Sequence, residues 1–159
     1  SAASDVYKRQ GHIGMDGPSL EEYQAAIDVY ASAGVKVMVT ELDLSALPSP
    51  RRNIGANISE IEAYNKEMNP YTTNLPDSIV VAWTERMGNF FKLFLDNKEK
   101  ISRVTLWGVT DTDSWKNDFP MRGRTDYPLL FDRQYKAKPI VREIITMAGL
   151  SDNKAQNKE

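Results

Sequence analysis

The order of helix and strand signals constrains the fold of this chain more than any other feature. A helix pattern over 19–33 leads into the apolar segment VKVMVTELDL at 35–44, and a second helix pattern from 76 leads into ISRVTLWGV at 101–109. The run opening at Lys138-Pro139 predicts a third helix. Apolar strands that alternate with helices predict an α/β fold in which parallel strands are joined by crossover helices.

The longest loops follow the two strands, which gives the predicted sheet a polarity. Segments 45–75 and 110–136 are rich in polar residues, whereas the connections before the strands are short. In parallel α/β folds, functional residues gather in the loops at the carboxyl ends of strands. Glu41 and Asp43 lie at one such end and Trp107 at the other, so we expect a site there.

Strand periodicity predicts which side chains share a face. Strict alternation places Val37, Val39, Glu41 and Asp43 together, with both carboxylates at the mouth of a barrel interior. The plainer alternative is that the two acids only solvate the end of a strand.

Tryptophans follow the second strand. Trp107 has the parity of a residue that faces the mouth, and Trp115 lies in the next loop. An indole offers sugars a flat apolar face, whereas the alternative is that each indole fills the core, which we prefer for Trp83 on its helix.

Composition excludes several classes of site and partner. The 159 residues carry a net charge of −2, include no cysteine and contain one histidine, His12. Disulfides, thiolate catalysis and multi-histidine metal sites within this chain are therefore excluded. We expect no metal or cofactor, no nucleic-acid partner because there is no basic surplus, and no membrane segment because no apolar run approaches a membrane span.

Two polar motifs in the second loop have more than one interpretation. Asp111-Thr112-Asp113-Ser114 resembles part of a cation loop but lacks the remaining ligands, which favours a hydrogen-bonded loop. Arg122 and Arg124 would either grip an acidic sugar substituent or tie the loop down.

The two ends of the chain differ in character from the rest. SAASDVYKRQ, residues 1–10, resembles the in-frame translation of a transposase-end sequencing adapter, and we expect it to be an artefactual extension. Residues 11–150 are expected to form the folded domain, and residues 151–159 a polar tail.

Four segments carry a family resemblance. Gly11-His12, VTELD at 39–43, LWGVTDTDSW at 106–115 and PLLFD at 128–132 resemble the carboxyl-terminal part of glycoside hydrolase family ten. Its principal members are endo-β-1,4-xylanases on a (β/α)₈ TIM barrel. The resemblance implies about strands six to eight of that barrel with their helices, so the barrel is expected to be incomplete, with unpaired strand edges.

The resemblance also implies roles for single residues. Glu41 would be the nucleophile of a retaining mechanism, His12 would hydrogen-bond Glu41, and Asp43 would orient His12. Trp107 and Trp115 would bind xylosyl units in the substrate cleft. None of these roles follows from spacing alone.

The family pattern is not complete in this sequence. A retaining glycosidase needs a second carboxyl group as general acid/base, and no segment here resembles the motif that supplies it. The implied enzyme is an endo-1,4-β-xylanase that acts on xylan or xylo-oligosaccharides, while this chain alone is expected to be inactive. The full-length protein is expected to be monomeric and secreted, periplasmic or on the cell surface.

Two other functions stay open. One is a non-catalytic carbohydrate-binding or scaffold fragment that keeps the aromatic cleft. The other is a barrel glycosidase of different specificity, such as a cellulase.

Overall fold

The structure is a computed structural model that describes residues 6–50 and 57–149. Strands and helices follow one another along the chain, with two short strands before the first helix and two helices between the third and fourth strands. The strands are β1 Val6–Arg9, β2 His12–Ile13, β3 Lys36–Leu44 and β4 Ile101–Leu106. The helices are α1 Leu20–Ser32, α2 Ile58–Met68, α3 Asp77–Asp96 and α4 Pro139–Met147. Within the described ranges, no helix is both long and apolar enough to cross a membrane.

Local signals account for where the helices begin and end. The spacing of Ser19 and Glu22 predicts a capping box at the start of α1. In the structure Ser19 Oγ accepts from the backbone N–H of Glu22, and the Glu22 carboxylate accepts from the backbone N–H of Ser19. After α1 the chain turns through Gly34 at φ 79°, a conformation that costs glycine little. The capping box of α1 and the predicted starts of α3 and α4 are confirmed.

All the described strand pairs are parallel and are centred on β3. β4 pairs with one edge of β3, while β1 and β2 pair with its beginning and its end. Since a strand has only two edges, β1 and β2 follow each other along the second edge. The four-stranded sheet is open, as expected for an incomplete barrel.

The apolar core lies between the sheet and the helices. Tyr23 and Ile27 of α1 meet Phe90 of α3, and the rings of Tyr23 and Phe90 pack edge to face at 5.3 Å. The spacing of apolar residues predicts a buried stripe on α3 that includes Val80, Trp83 and Phe90. Most of this stripe is buried, but Val80 is 38% exposed, so that one assignment is wrong. The core therefore fixes β3 from one side and leaves its other face to the site.

The strict alternation expected along β3 is wrong, because the strand contains an extra residue. Arg9 pairs with Val39 and His12 with Asp43, so β3 advances four positions while its neighbour advances three. The pairing with β4 shifts at the same place, between Val39 and Leu42. This β-bulge puts both Val39 and Leu42 in the core. Glu41 and Asp43 then lie on the opposite face, where both contact His12.

The bulge needs a glycine beside it. A Cβ on Gly11 would lie 2.7 Å from Val39 Cγ1 and 3.2 Å from Leu42 Cα, which is too close for another residue without movement. Gly11 directly precedes His12, and the carbonyl of Gly11 accepts from the backbone N–H of Asp43 at 3.2 Å. The close approach thus holds His12 against the carboxylate end of β3.

β4 is shorter than the sequence predicts. It ends at Leu106, so Trp107 and Val109 lie beyond the strand. Val104 and Leu106 pack against the core, in agreement with their predicted parity.

The arginine of the second loop ties segments together. Arg124 is buried and donates to the carbonyls of Met68, Phe119 and Pro48. Its guanidinium joins the loops after β3 and β4, which favours the anchoring role over the binding of an acidic substituent.

The structure describes only part of the two ends of the chain, so it reaches only some of the predictions made for them. Residues 1–5 and 150–159 lie outside the described residues, and with them the polar tail at 151–159. Val6–Arg9 form β1 and pair with β3. The artefactual origin of residues 1–10 stays a prediction.

Candidate active site

The bulge in β3 brings two carboxylates to the open face of the sheet in different environments. Asp43 is 0% exposed, whereas the side chain of Glu41 keeps 22% of its surface accessible. One carboxylate is therefore available to a ligand and the other is enclosed.

His12 bridges these carboxylates. Its Nε2 lies 2.9 Å from Glu41 Oε2, and its Nδ1 lies 2.9 Å from Asp43 Oδ2. The position of the ring follows from the sheet, because His12 in β2 pairs directly with Asp43 in β3. The structure thus brings together the three residues that the resemblance implies.

The loop after β4 closes over this cluster. Trp115 Nε1 donates to Asp43 Oδ2 at 2.9 Å, and its ring lies 5.1 Å from the His12 ring at an angle of 60°. Trp115 is 38% exposed, so its N–H edge is held by Asp43 while part of the ring meets solvent. Phe119 continues this aromatic surface, with its ring 5.2 Å from that of Trp115.

Trp107 stands apart from the hydrogen-bonded cluster. Its backbone N–H donates to Leu42 O at 2.9 Å, while its indole is 48% exposed. The side chain lies at the carboxyl end of β4 and is available to a ligand rather than packed in the core.

A family model for glycosyl hydrolase family 10 matches residues 5–147. The chain belongs to glycosyl hydrolase family 10.

Named relatives agree with this family assignment. An endo-1,4-beta-xylanase A from Xylanibacter ruminicola is 44% identical over 143 residues, which cover 90% of this chain and 39% of that protein. An endo-1,4-beta-xylanase from Geobacillus stearothermophilus is 33% identical over 87% of this chain and 37% of its own length.

Solved structures show the same partial coverage. A family 10 endoxylanase from a sugarcane soil metagenome has a TM-score of 0.75 and 38% identity, over 88% of this chain and 38% of that chain. The chain is thus an incomplete part of the family 10 TIM barrel and spans about two fifths of the proteins it matches.

Hydrogen-bond accounting defines the proton content of the family 10 cluster. An ionised carboxylate only accepts, so each short contact from the ring of His12 needs a proton on that nitrogen. Both contacts are satisfied together when His12 is an imidazolium between the carboxylates of Glu41 and Asp43.

Sequence reasoning did not identify two residues that adjoin this cluster. Lys116 lies 3.6 Å from Asp43 Oδ1 through its Nζ, and Phe119 packs on Trp115. The signal for Lys116 was its position directly after Trp115. Gln10, which donates to Glu41 Oε2 at 3.1 Å, belongs to the segment that sequence reasoning set aside.

A second buried charge cluster follows β4. Lys138 Nζ lies 3.1 Å from Asp111 Oδ1 and 2.9 Å from Oδ2, and it sits 4.3 Å from the centre of the Trp83 ring. Burial raises the pKa of Asp111 and lowers the pKa of Lys138, in each case against the attraction of the partner. The Asp111 loop is therefore a hydrogen-bonded and ion-paired loop.

Among residues 6–50 and 57–149, no group of three or more histidine, aspartate or glutamate side chains is arranged to hold a metal ion.

Proposed function

We propose that this chain supplies the nucleophile side of the active site of a retaining endo-1,4-β-xylanase. The observation that carries the proposal is the continuous contact from Glu41 through His12 to Asp43 and on to Trp115. It joins an accessible carboxylate, a means of keeping that carboxylate ionised, and an aromatic surface for a sugar.

Glu41 is the proposed nucleophile. His12 Nε2 and Gln10 Nε2 both contact its Oε2, which leaves Oε1 as the oxygen directed at a substrate. In a retaining mechanism this oxygen attacks the anomeric carbon, the bond to the leaving sugar breaks, and a covalent glycosyl-enzyme forms. Water then cleaves that intermediate and restores the carboxylate.

His12 and Asp43 are the proposed supporting residues. Because Asp43 is buried and accepts from both His12 and Trp115, it fixes the orientation of the imidazole. The other ring nitrogen then directs its proton at Glu41. This arrangement keeps the nucleophile charged between turnovers.

The general acid/base is proposed to come from a part of the barrel that this chain does not include. Asp43 is unsuited to the role, since it is enclosed and its Oδ2 already has two donors. The two carboxyl groups of a retaining glycosidase lie about 5–5.5 Å apart and flank the bond that breaks. The chain by itself is therefore expected not to hydrolyse xylan.

Trp115 and Trp107 are the proposed sugar-binding residues, with xylan or xylo-oligosaccharides as substrates. Their exposed indoles provide apolar faces beside the nucleophile. The relatives are endo-1,4-beta-xylanases, which supports xylan as the substrate. A polymer of this kind is met outside the cytoplasm, so we place the full-length protein in the secreted, periplasmic or cell-surface group.

A hybrid barrel tests this function. In it, residues 11–149 of this chain replace the matching segment of the Xylanibacter ruminicola relative, which restores a complete barrel. We expect the hybrid to cut xylohexaose, and Glu41→Gln to lower kcat by about 10³-fold or more, since the covalent step is lost. Exposed Glu62→Gln, on α2, serves as the control and leaves kcat unchanged.

Chemical trapping gives an independent assignment. A fluorinated xylobioside that stalls the second step should leave a stable sugar adduct on the peptide that contains Glu41. Retention of full activity by Glu41→Gln, or an adduct on a different carboxylate, shows that the nucleophile assignment is wrong.

Sugar binding without catalysis is the second candidate, and the exposed indoles of Trp107 and Trp115 favour it. A hybrid that binds xylohexaose by calorimetry but never cleaves it supports this alternative. A panel that includes cello-oligosaccharides, with the unaltered relative as reference, separates xylanase from cellulase specificity.

A further inference from the structure

We propose that Lys116 is a positioning residue that completes the charge balance of the cluster and holds Asp43 and Trp115 against His12. Its effect on catalysis rests on the proposed function. Its effect on the placement of Trp115 does not, and is measured separately.

The first observation is an unsatisfied oxygen on a buried carboxylate. Asp43 Oδ2 has two N–H groups at 2.9 Å, but Asp43 Oδ1 is buried without a hydrogen bond. The group that faces Oδ1 is the ammonium of Lys116, at 3.6 Å. A buried carboxylate oxygen is costly unless a donor or a cation compensates it, and Lys116 supplies that cation.

The second observation is that the same ammonium contacts the indole. Lys116 Nζ lies 4.9 Å from the centre of the Trp115 ring, and the Lys116 side chain is only 12% exposed. Both residues belong to the short 3₁₀ turn Trp115–Asn117, whose preceding residue Ser114 accepts from the backbone N–H of Lys116. One cation thus joins the charge on Asp43 to the position of Trp115.

The third observation is the sum of charges. With both carboxylates on β3 ionised, Glu41 and Asp43 carry two negative charges, and His12 on β2 adds one positive charge when both ring nitrogens hold a proton. Lys116 adds the second positive charge and brings the cluster to neutrality. Arg124 lines the same small cavity of about 180 Å³ as His12 and Lys116, but its guanidinium is bound to three backbone carbonyls.

Removal of the Lys116 charge has a predictable consequence for proton binding. With one positive charge fewer, both carboxylates and the imidazole hold their protons more strongly. The limb of the pH–activity profile that follows the ionisation of Glu41 should therefore move to higher pH. A residue that only filled space would change activity without moving the profile.

The test compares Lys116→Met with Lys116→Arg in the hybrid barrel. We expect Lys116→Met to lower kcat for xylohexaose about tenfold, the size expected when a buried charge loses one partner. KM should rise because Trp115 is less well placed, and the Glu41 limb of the pH profile should move up by about half a unit to one unit. Lys116→Arg keeps the charge and should restore kcat and the profile.

A readout without catalysis completes the test. The indole N–H of Trp115, identified by its loss in Trp115→Phe, should exchange with solvent faster in Lys116→Met than in Lys116→Arg. The control is Lys100→Met, which removes a surface pair to Asp28 at 2.6 Å outside the site. It should leave the exchange and the pH profile unchanged.

The outcomes separate the two proposals. Equal impairment by Met and Arg, or an unchanged pH profile together with unchanged indole exchange, overturns the role of Lys116. An inactive hybrid in which Lys116→Met still accelerates indole exchange supports the positioning role while the proposed function fails.

Discussion

Two clusters built from the same residue types lie after neighbouring strands of the sheet. After β3, the carboxylate of Asp43 meets Trp115 and Lys116. After β4, the carboxylate of Asp111 meets Lys138, whose ammonium lies on the ring of Trp83. Both aspartates are fully buried, so burial alone does not distinguish a catalytic site from a structural one.

The clusters differ in how close the cation lies to the oxygen that lacks a hydrogen bond. Asp111 Oδ2 and Asp43 Oδ1 are both buried without a hydrogen bond, but Lys138 Nζ lies 2.9 Å from the first and Lys116 Nζ lies 3.6 Å from the second. Lys138 contacts both oxygens of Asp111, and Leu129 N–H adds a hydrogen bond at 2.9 Å. Asp43 has its donors on one oxygen, and one of those donors, His12, passes on to the accessible Glu41. The pair of Asp111 and Lys138 is enclosed, whereas the contacts of Asp43 continue through His12 to a carboxylate that solvent can reach.

Substitution of each aspartate by asparagine should separate the two roles most strongly. Asp43→Asn in the hybrid removes the charge that orients His12, and we expect kcat on xylohexaose to fall about 10³-fold. This is less than the roughly 10⁴-fold loss on replacing the aspartate of a serine-hydrolase triad, because His12 supports the nucleophile and does not take its proton. The urea midpoint should also fall, because Lys116 and His12 lose a buried partner, so kcat is the quantity that separates this variant from Asp111→Asn. Normal kcat in this variant would show that Asp43 does not orient the histidine.

Asp111→Asn should have the opposite profile. It leaves Lys138 as a buried cation without its partner, and we expect the free energy of unfolding to fall by about 3 kcal/mol while kcat stays within twofold. The double variant Asp111→Asn/Lys138→Met should recover most of that loss, because no unpaired charge remains. Urea denaturation of the hybrid measures both, and a double variant no more stable than the single one contradicts the ion-pair explanation.

The sequence predicts the framework of the fold because its signals are local. The capping box of Ser19 and Glu22 lies within four residues. The β-branched residues of the run at 35–44 favour a strand, which the structure places at Lys36–Leu44. The family motifs name Glu41, His12 and Asp43, and the structure brings these residues together. Their roles stay proposals.

The rest depends on contacts between distant segments. The bulge between Val39 and Leu42 arises from how β3 meets both neighbours, and periodicity along one strand contains no sign of it. The contact of Lys116 with Asp43 joins the loop after β4 to the end of β3, and the pair of Asp111 with Lys138 joins the start of that loop to the start of α4. The side-chain pattern in sequence gives the residue types but not these partners.

The two tryptophans allow a finer comparison with smaller effects. Trp115→Phe removes a donor to Asp43 at the open cluster, and we expect KM for xylohexaose to rise several-fold with little change in the urea midpoint. Trp83→Phe removes the bond from its Nε1 to Leu44 O at 2.7 Å, which should cost about 1 kcal/mol of stability without raising KM. If both substitutions raised KM equally, Trp115 would have no greater part in sugar binding than Trp83.

The pH dependence of stability should show the smallest difference between the clusters. Because burial raises the pKa of Asp111 above its ordinary 3.8, the folded state keeps that proton over a range in which the unfolded chain has lost it. The contribution of Asp111 to stability is therefore fully present below pH 3.8 and is lost as pH rises through the folded-state pKa. Urea midpoints of the hybrid and of Asp111→Asn, measured from pH 3 to pH 7, isolate this slope, since asparagine does not titrate. If the difference between the two urea midpoints stays constant from pH 3 to pH 7, burial does not raise the pKa of Asp111.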